Sequence, residues 1–152
     1  MQTRRDMLAR SASVAAALAS LGLLPQAAQA AWPQAAFEAK NMGDLMKALG
    51  YSAPAESKDV SITGPDIAEN GAVVPVGAAT TLAGARRLLL LVEKNPNMLA
   101  AVFDLSDAVE PSISTRVKMG QSSNVFAVAI TADNKVLYAA KEIKVTLGGC
   151  GG

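Results

Sequence analysis

Ile113-Ser114-Thr115-Arg116-Val117-Lys118-Met119 alternates residue by residue, with Ile113, Thr115, Val117 and Met119 on one side and Ser114, Arg116 and Lys118 on the other. A period of two is that of a strand with one buried face, because successive Cβ atoms point to opposite sides of a sheet. Downstream, Gly120-Gln121-Ser122-Ser123 turns the chain into an apolar strand from Val125 to Thr131. Asp133-Asn134-Lys135 then makes a short hairpin loop, and Val136 to Thr146 forms the last strand. Lys141 to Leu147 alternates again, with Ile143, Val145 and Leu147 expected on one face. Arg116 and Lys118 read first as the solvated face of their strand and second as a surface for partner docking or anion steering.

Upstream the same grammar holds. Val60-Ser61-Ile62-Thr63 alternates and ends at the turn signal Gly64-Pro65-Asp66. Asn70-Gly71 is another turn, followed by Ala72-Val73-Val74-Pro75-Val76. Pro75 cannot donate to a ladder, which puts that run at an edge or a bulge. The run from Arg87 to Val92 is continuously apolar after its first residue and ends at Glu93-Lys94-Asn95-Pro96-Asn97. It predicts a buried strand, and Leu99 to Leu105 the next one. About seven short strands with a turn every dozen residues predict a mainly β fold, an immunoglobulin-like antiparallel β-sandwich. With one cysteine there is no internal cystine, so apolar packing alone must hold the sheets.

Residues 37–49 carry helical spacing instead. Phe37, Met42, Leu45, Met46 and Leu49 fall on one side, Lys40, Asp44 and Lys47 on the other, and Gly50 is suited to a left-handed cap. This predicts a short N-terminal helix packed on the main domain. The first thirty residues read as a targeting segment. Arg4-Arg5 precedes an apolar, Ala-rich run from Ser11 to Leu24, Pro25 ends it, and Ala28-Gln29-Ala30 predicts cleavage before Ala31. The paired arginines favour twin-arginine export over an ordinary secretory signal, and the run is too short and too weakly apolar to span a membrane. The expected organisation is a signal at 1–30, a helical segment at 31–50, a sandwich at 51–147 and a glycine arm at 148–152.

The 152 residues, 51% hydrophobic and 18% charged, allow one domain of ordinary size. Three of the fourteen Lys+Arg and one of the thirteen Asp+Glu belong to the signal, so the remainder carries a net charge of −1. Near-neutrality argues against nucleic-acid binding. The absence of histidine removes Ser-His-Asp and Cys-His catalytic pairs and most zinc sites, so no metal is expected.

Gly148-Gly149-Cys150-Gly151-Gly152 holds the single cysteine. Four glycines around it provide nothing to pack into a core, which predicts a flexible, thin arm presenting a thiol. With Thr146 as the last anchored residue, four extended residues give a reach of roughly 13 Å. No catalytic residue is assigned. A free thiol has a pKa near 8.5, and nothing adjacent in sequence lowers it or supplies a base. Cys150 therefore reads as a covalent handle, suited to reversible S–S chemistry inside another protein's active site. Three alternatives compete: an exported sandwich module using Cys150 for an intermolecular disulfide, a thiol peroxidase or oxidoreductase without a resolving cysteine, and a thiocarboxylate carrier reading Gly151-Gly152 as its end.

The pentapeptide behind a twin-arginine signal resembles the SoxY family, the sulfur-carrier subunits of the periplasmic sulfur-oxidising (Sox) multienzyme system. The segments Pro65 to Val76, Val92 to Pro96, Thr115 to Met119 and Lys141 to Thr146 are similar to the same family. The resemblance implies a heterodimer with a SoxZ subunit and transient work with the c-type cytochrome SoxAX, the hydrolase SoxB and, where present, a sulfane dehydrogenase. It implies covalent sulfur attachment at Cys150, with Gly148, Gly149, Gly151 and Gly152 as the arm. No cofactor of the chain's own and no membrane association after signal cleavage are implied. The edge near Pro75 and the Arg116/Lys118 face are candidate SoxZ surfaces. Backbone N–H groups of Gly148 to Gly151 are expected to cradle sulfonate oxygens.

Overall fold

The structure, a computed structural model, describes residue 7 and residues 34–149. Two short helices, α1 (Gln34–Glu38) and α2 (Met42–Ala48), precede nine strands. These are β1 (Ala55–Glu56), β2 (Val60–Thr63), β3 (Ile67–Asn70), β4 (Val74–Thr80), β5 (Ala85–Val92), β6 (Leu99–Asp104), β7 (Ser112–Val117), β8 (Ser123–Thr131) and β9 (Val136–Leu147). The larger sheet runs β1-β9-β8-β5-β6, with β3 also on β9, and the smaller runs β2-β4-β7. The two sheets form the expected immunoglobulin-like sandwich.

β7 bears out its alternation: Ile113 and Thr115 are half-buried, Val117 and the following Met119 buried, and Ser114, Arg116 and Lys118 exposed. Val74, Val76 and Ala78 from β4 meet Leu88, Leu90, Val92 and Ile143 from the larger sheet in the core between the sheets. The leucine run of β5 has a further cause. Leu88 to Val92 are all 0% exposed. Even-numbered members face the smaller sheet, while Leu89 and Leu91 face outward into a second cluster with Ala36, Leu45 and Met46 of the helices. A strand covered on both faces has no polar side to alternate with. Truncating its centre removes contacts on a site that cannot collapse from either side. Leu90→Ala is expected to cost about 2–5 kcal/mol in denaturant unfolding, with the slope of the transition unchanged.

The single helix expected over 37–49 is two helices. Asn41 adopts an extended backbone, and its side chain accepts a hydrogen bond from Asp44 N–H (2.8 Å), capping α2 at its N-terminus. Ala36 and Ala39 take the buried positions of the first part, while Phe37 is exposed. Gly50 closes α2 with φ +79°, as expected of a left-handed cap, and the next N–H, that of Tyr51, donates to Met46 O.

Three further differences concern strands. The run expected at 72–76 is β4, and it continues to Thr80. Its Pro75 lies opposite Arg116 of β7, in the part of β4 that β2 does not reach. β1 and β3 were not expected. Both pair with β9 in parallel, β1 at Leu137–Tyr138 and β3 at Lys144–Leu147. Leu147, expected on the inner face with Ile143 and Val145, is 66% exposed, because β9 leaves the sandwich there.

Candidate functional site

β9 delivers the chain to the arm, and its last turns are tied from both sides. Val145 N–H donates to Ser122 Oγ (2.9 Å), and Thr146 Oγ1 donates to Glu69 O (2.9 Å). Lys144 N–H donates to Asp66 O (3.0 Å), while the Lys141 ammonium meets the Asp66 carboxylate at 2.6 Å. That hydrogen bond, with the adjacent positive charge, holds the Asp66 carboxyl below its ordinary range. A depressed folded-state value means the contribution is complete above the ordinary carboxylate pKa and fades as pH falls through the folded one. The protection factor of the Lys144 amide is therefore expected to be flat from neutrality down to about pH 5 and to drop below about pH 4, and Asp66→Asn should remove that drop.

Past Leu147 three chain segments converge on backbone alone. Gly71 N–H donates to Leu147 O (2.7 Å), Met119 N–H donates to Gly71 O (2.7 Å), and Gly149 N–H donates to Met119 O (2.9 Å). This approach needs glycine. A Cβ on Gly71 would fall inside 3.0 Å of Met119 O and Gly149 N. One on Gly148 would strike Gly120 O, and one on Gly149 the backbone of Gly71. The turn carrying Met119 and Gly120 is braced in turn by Asn95, whose Nδ2 donates to Lys118 O (2.7 Å) and whose Oδ1 accepts from Gly120 N–H (3.1 Å).

Among the described residues the anchored stretch therefore extends to Gly149, three residues beyond the Thr146 expected from sequence. Gly148 and Gly149 are half-buried and serve close approach as well as thinness. The Gly149 N–H, one donor of the expected sulfonate cradle, is engaged with Met119 O. Cys150, Gly151 and Gly152 lie outside the described residues, as do Arg4, Arg5 and the cleavage site before Ala31. Gly71, Met119, Gly120 and Asn95 were read from sequence only as turn, strand-end and loop residues. The recurrence of glycine at 71, 120, 148 and 149 was the available signal. Among the described residues no group of three metal-ligating side chains occurs.

Fold and site together define a small immunoglobulin-like sandwich that holds the chain after β9, up to Gly149, by backbone contacts. Residues 45–150 match the family described as "Sulfur oxidation protein SoxY". The sulfur carrier protein SoxY from Chlorobium limicola f thiosulfatophilum is 33% identical in sequence. That match covers 68% of this chain and 93% of that one, with a TM-score of 0.60. A superoxide reductase (neelaredoxin) from Ignicoccus hospitalis shares the fold at 18% identity, covering 57% of this chain and 79% of that one, TM-score 0.51. A putative superoxide reductase from Thermotoga maritima does so at 14% identity, covering 64% and 96%, TM-score 0.50. No curated protein sequence matches.

The chain belongs to the SoxY family. Its role is that of a sulfur carrier in the Sox system and not of an enzyme. In general the family works with a SoxZ partner and in the periplasm. None of the described helices is long and apolar enough to cross a membrane.

Proposed function

We propose that the chain carries sulfur covalently on Cys150 during periplasmic thiosulfate and sulfur oxidation, and presents the bound intermediates to partner enzymes. The observation that carries this reading is the clamp at Gly149: the fold grips the chain up to the residue before the cysteine. The family match also runs through residue 150.

Cys150 thiolate and the outer sulfur of thiosulfate join in an S–S bond, and two electrons pass to a c-type cytochrome of the SoxAX kind. The product is cysteine S-thiosulfonate. Water then attacks the terminal sulfonate in a SoxB-type hydrolase, breaking the bond between the sulfane sulfur and the sulfonate, which releases sulfate and leaves a persulfide. A sulfane dehydrogenase, where present, oxidises that sulfur to an S-sulfonate, with water supplying the oxygens and six electrons passing to a c-type cytochrome; a second hydrolysis of the SoxB kind then releases sulfate and restores the Cys150 thiol. The carrier supplies the handle and its partners supply the catalytic groups and the oxidant, in keeping with a chain without histidine. Residues 1–30, with Arg4-Arg5, serve as a twin-arginine signal, 31–50 as the helical cover, 51–147 as the sandwich paired with SoxZ, and 148–152 as the arm.

The test is the intact mass of the protein purified without reductant from thiosulfate-grown cells. A thiosulfonate or persulfide increment on the peptide containing Cys150, removed by thiols, is the expected result. A bare thiol, or only a symmetric disulfide dimer, under all growth conditions would overturn the reading.

A further inference from the structure

One edge strand of each sheet, β6 and β7, unpaired on its outer side among the described residues, borders an open groove of about 390 Å³ beside the turn that holds Gly149. Arg116 and Lys118 line it together with Asn95, Asn97, Ala101 and Thr115, and no carboxylate does. Both cations are exposed, and among the described residues neither is in an ion pair.

The main chain of β7 is also available there. Antiparallel strands bond alternate residues to alternate sides. Pro75 has no N–H and sits opposite Arg116, while Thr80 N–H donates toward the β7 side, to Pro111 O. Even-numbered residues of β4 therefore bond β7 through its odd-numbered residues. The N–H and C=O groups of Ser114 and Arg116 turn to the open side. One step further along, the same outward positions are already occupied. Asn95 donates to Lys118 O and accepts from Gly120 N–H, standing in for a neighbouring strand where the arm docks. The edge is closed at the arm's root and open in the groove.

We propose that this groove receives an extended, acidic segment of a partner protein, which adds as a strand to the free edge of β7 at Ser114–Arg116 and sets its carboxylates against Arg116 and Lys118. The proposal rests on the reading of residues 148–152 as the arm that partners must reach. A strand seated there would lie along the element whose continuation, Met119, holds Gly149, so docking and arm presentation share one backbone. Main-chain bonds supply the affinity of such strand addition, and side chains select the partner.

The test uses the full chain carrying Cys150→Ser, which removes sulfur chemistry, so its result is independent of whether Cys150 carries sulfur. The probe is a capped hexapeptide of alternating glutamate and valine, titrated at low salt and followed by amide NMR shifts. Shifts confined to Ser112–Lys118 and Leu99–Ala101 are expected, with affinity falling about tenfold or more in both Arg116→Glu and Lys118→Glu and remaining unchanged in Lys58→Glu. Equal binding by the charge-reversed variants, or shifts centred elsewhere, would overturn the proposal. So would the same residues responding to sodium thiosulfate but not to the peptide, which would mark a small-anion site. A concentration-dependent self-association that buries the groove would assign it to a second copy of this chain instead.

Discussion

Cys150→Ser is expected to reduce thiosulfate-dependent cytochrome reduction by a reconstituted Sox system to the level seen without carrier, while the protein's unfolding transition stays in place. A hydroxyl cannot enter the displacement at sulfur that makes and breaks S–S bonds, so every step that holds the substrate on the arm is lost at once. The fold is expected to be indifferent because, among the described residues, the clamp's backbone hydrogen bonds run up to Gly149 and the core between the sheets is built from residues that precede it. Turnover that survives the substitution would remove Cys150 from the pathway. A parallel shift of the unfolding midpoint would mean that the thiol is part of the structure.

Gly71→Ala tests the root of the arm rather than its tip. The added methyl would collide with Met119 O, Gly149 N and Val145 Cγ1, and two of these are backbone atoms held by the clamp's own hydrogen bonds. Something must shift, and the Gly148–Gly149 segment, held to Met119 through the Gly149 N–H, is the one expected to give. The expected result is a loss of roughly 1–3 kcal/mol in unfolding free energy, typical of overpacking. Amide exchange at Met119 and Gly149 should accelerate strongly, while β5 and β8 keep their protection. Gly149→Ala should reproduce the local effect, since its methyl would meet the backbone of Gly71 from the other side. In turnover assays both variants are expected to retain sulfur loading and to raise the partner concentration needed for half-maximal rate, because the thiol is intact while the Gly148–Gly149 root before it is displaced. Unchanged exchange at Gly149 in Gly71→Ala would show that the contact is loose enough to absorb a methyl group.

The strands that could be read from sequence were those whose side chains divide between water and core. Ile113 to Val117 alternates because one face of β7 is wet, and β9 alternates from Lys141 to Val145 for the same reason. β5 announced itself by leucines, but their number reflects a second cover, the helices, that periodicity does not reveal. β3 was hidden because three of its four residues are exposed and it is held by backbone pairing with β9, which leaves no apolar pattern. The break between α1 and α2 depends on Asn41 acting as a cap inside otherwise continuous helical spacing. At the site, the arm expected at 148–152 rests on composition alone, a single cysteine among glycines, and that cysteine lies outside the described residues. Its anchor was not legible, because bonds between N–H and C=O carry no side-chain signature. A glycine required for close approach looks the same in sequence as one required for a turn.

The parallel pairing of β3 with the end of β9 has a mechanical consequence. If the proposed function holds, a partner that takes up the Cys150 thiol and releases it again loads the chain through the end of β9. A pull of that kind would load the bond from Gly149 N–H to Met119 O first, like the first stitch of a seam. Beyond it, the bonds that tie Lys144 to Leu147 against Asp66 to Gly71 lie side by side across the line of force and must shear together. The carrier can thus yield slack at its tip on a light load and still withstand extraction without unravelling the sandwich behind it.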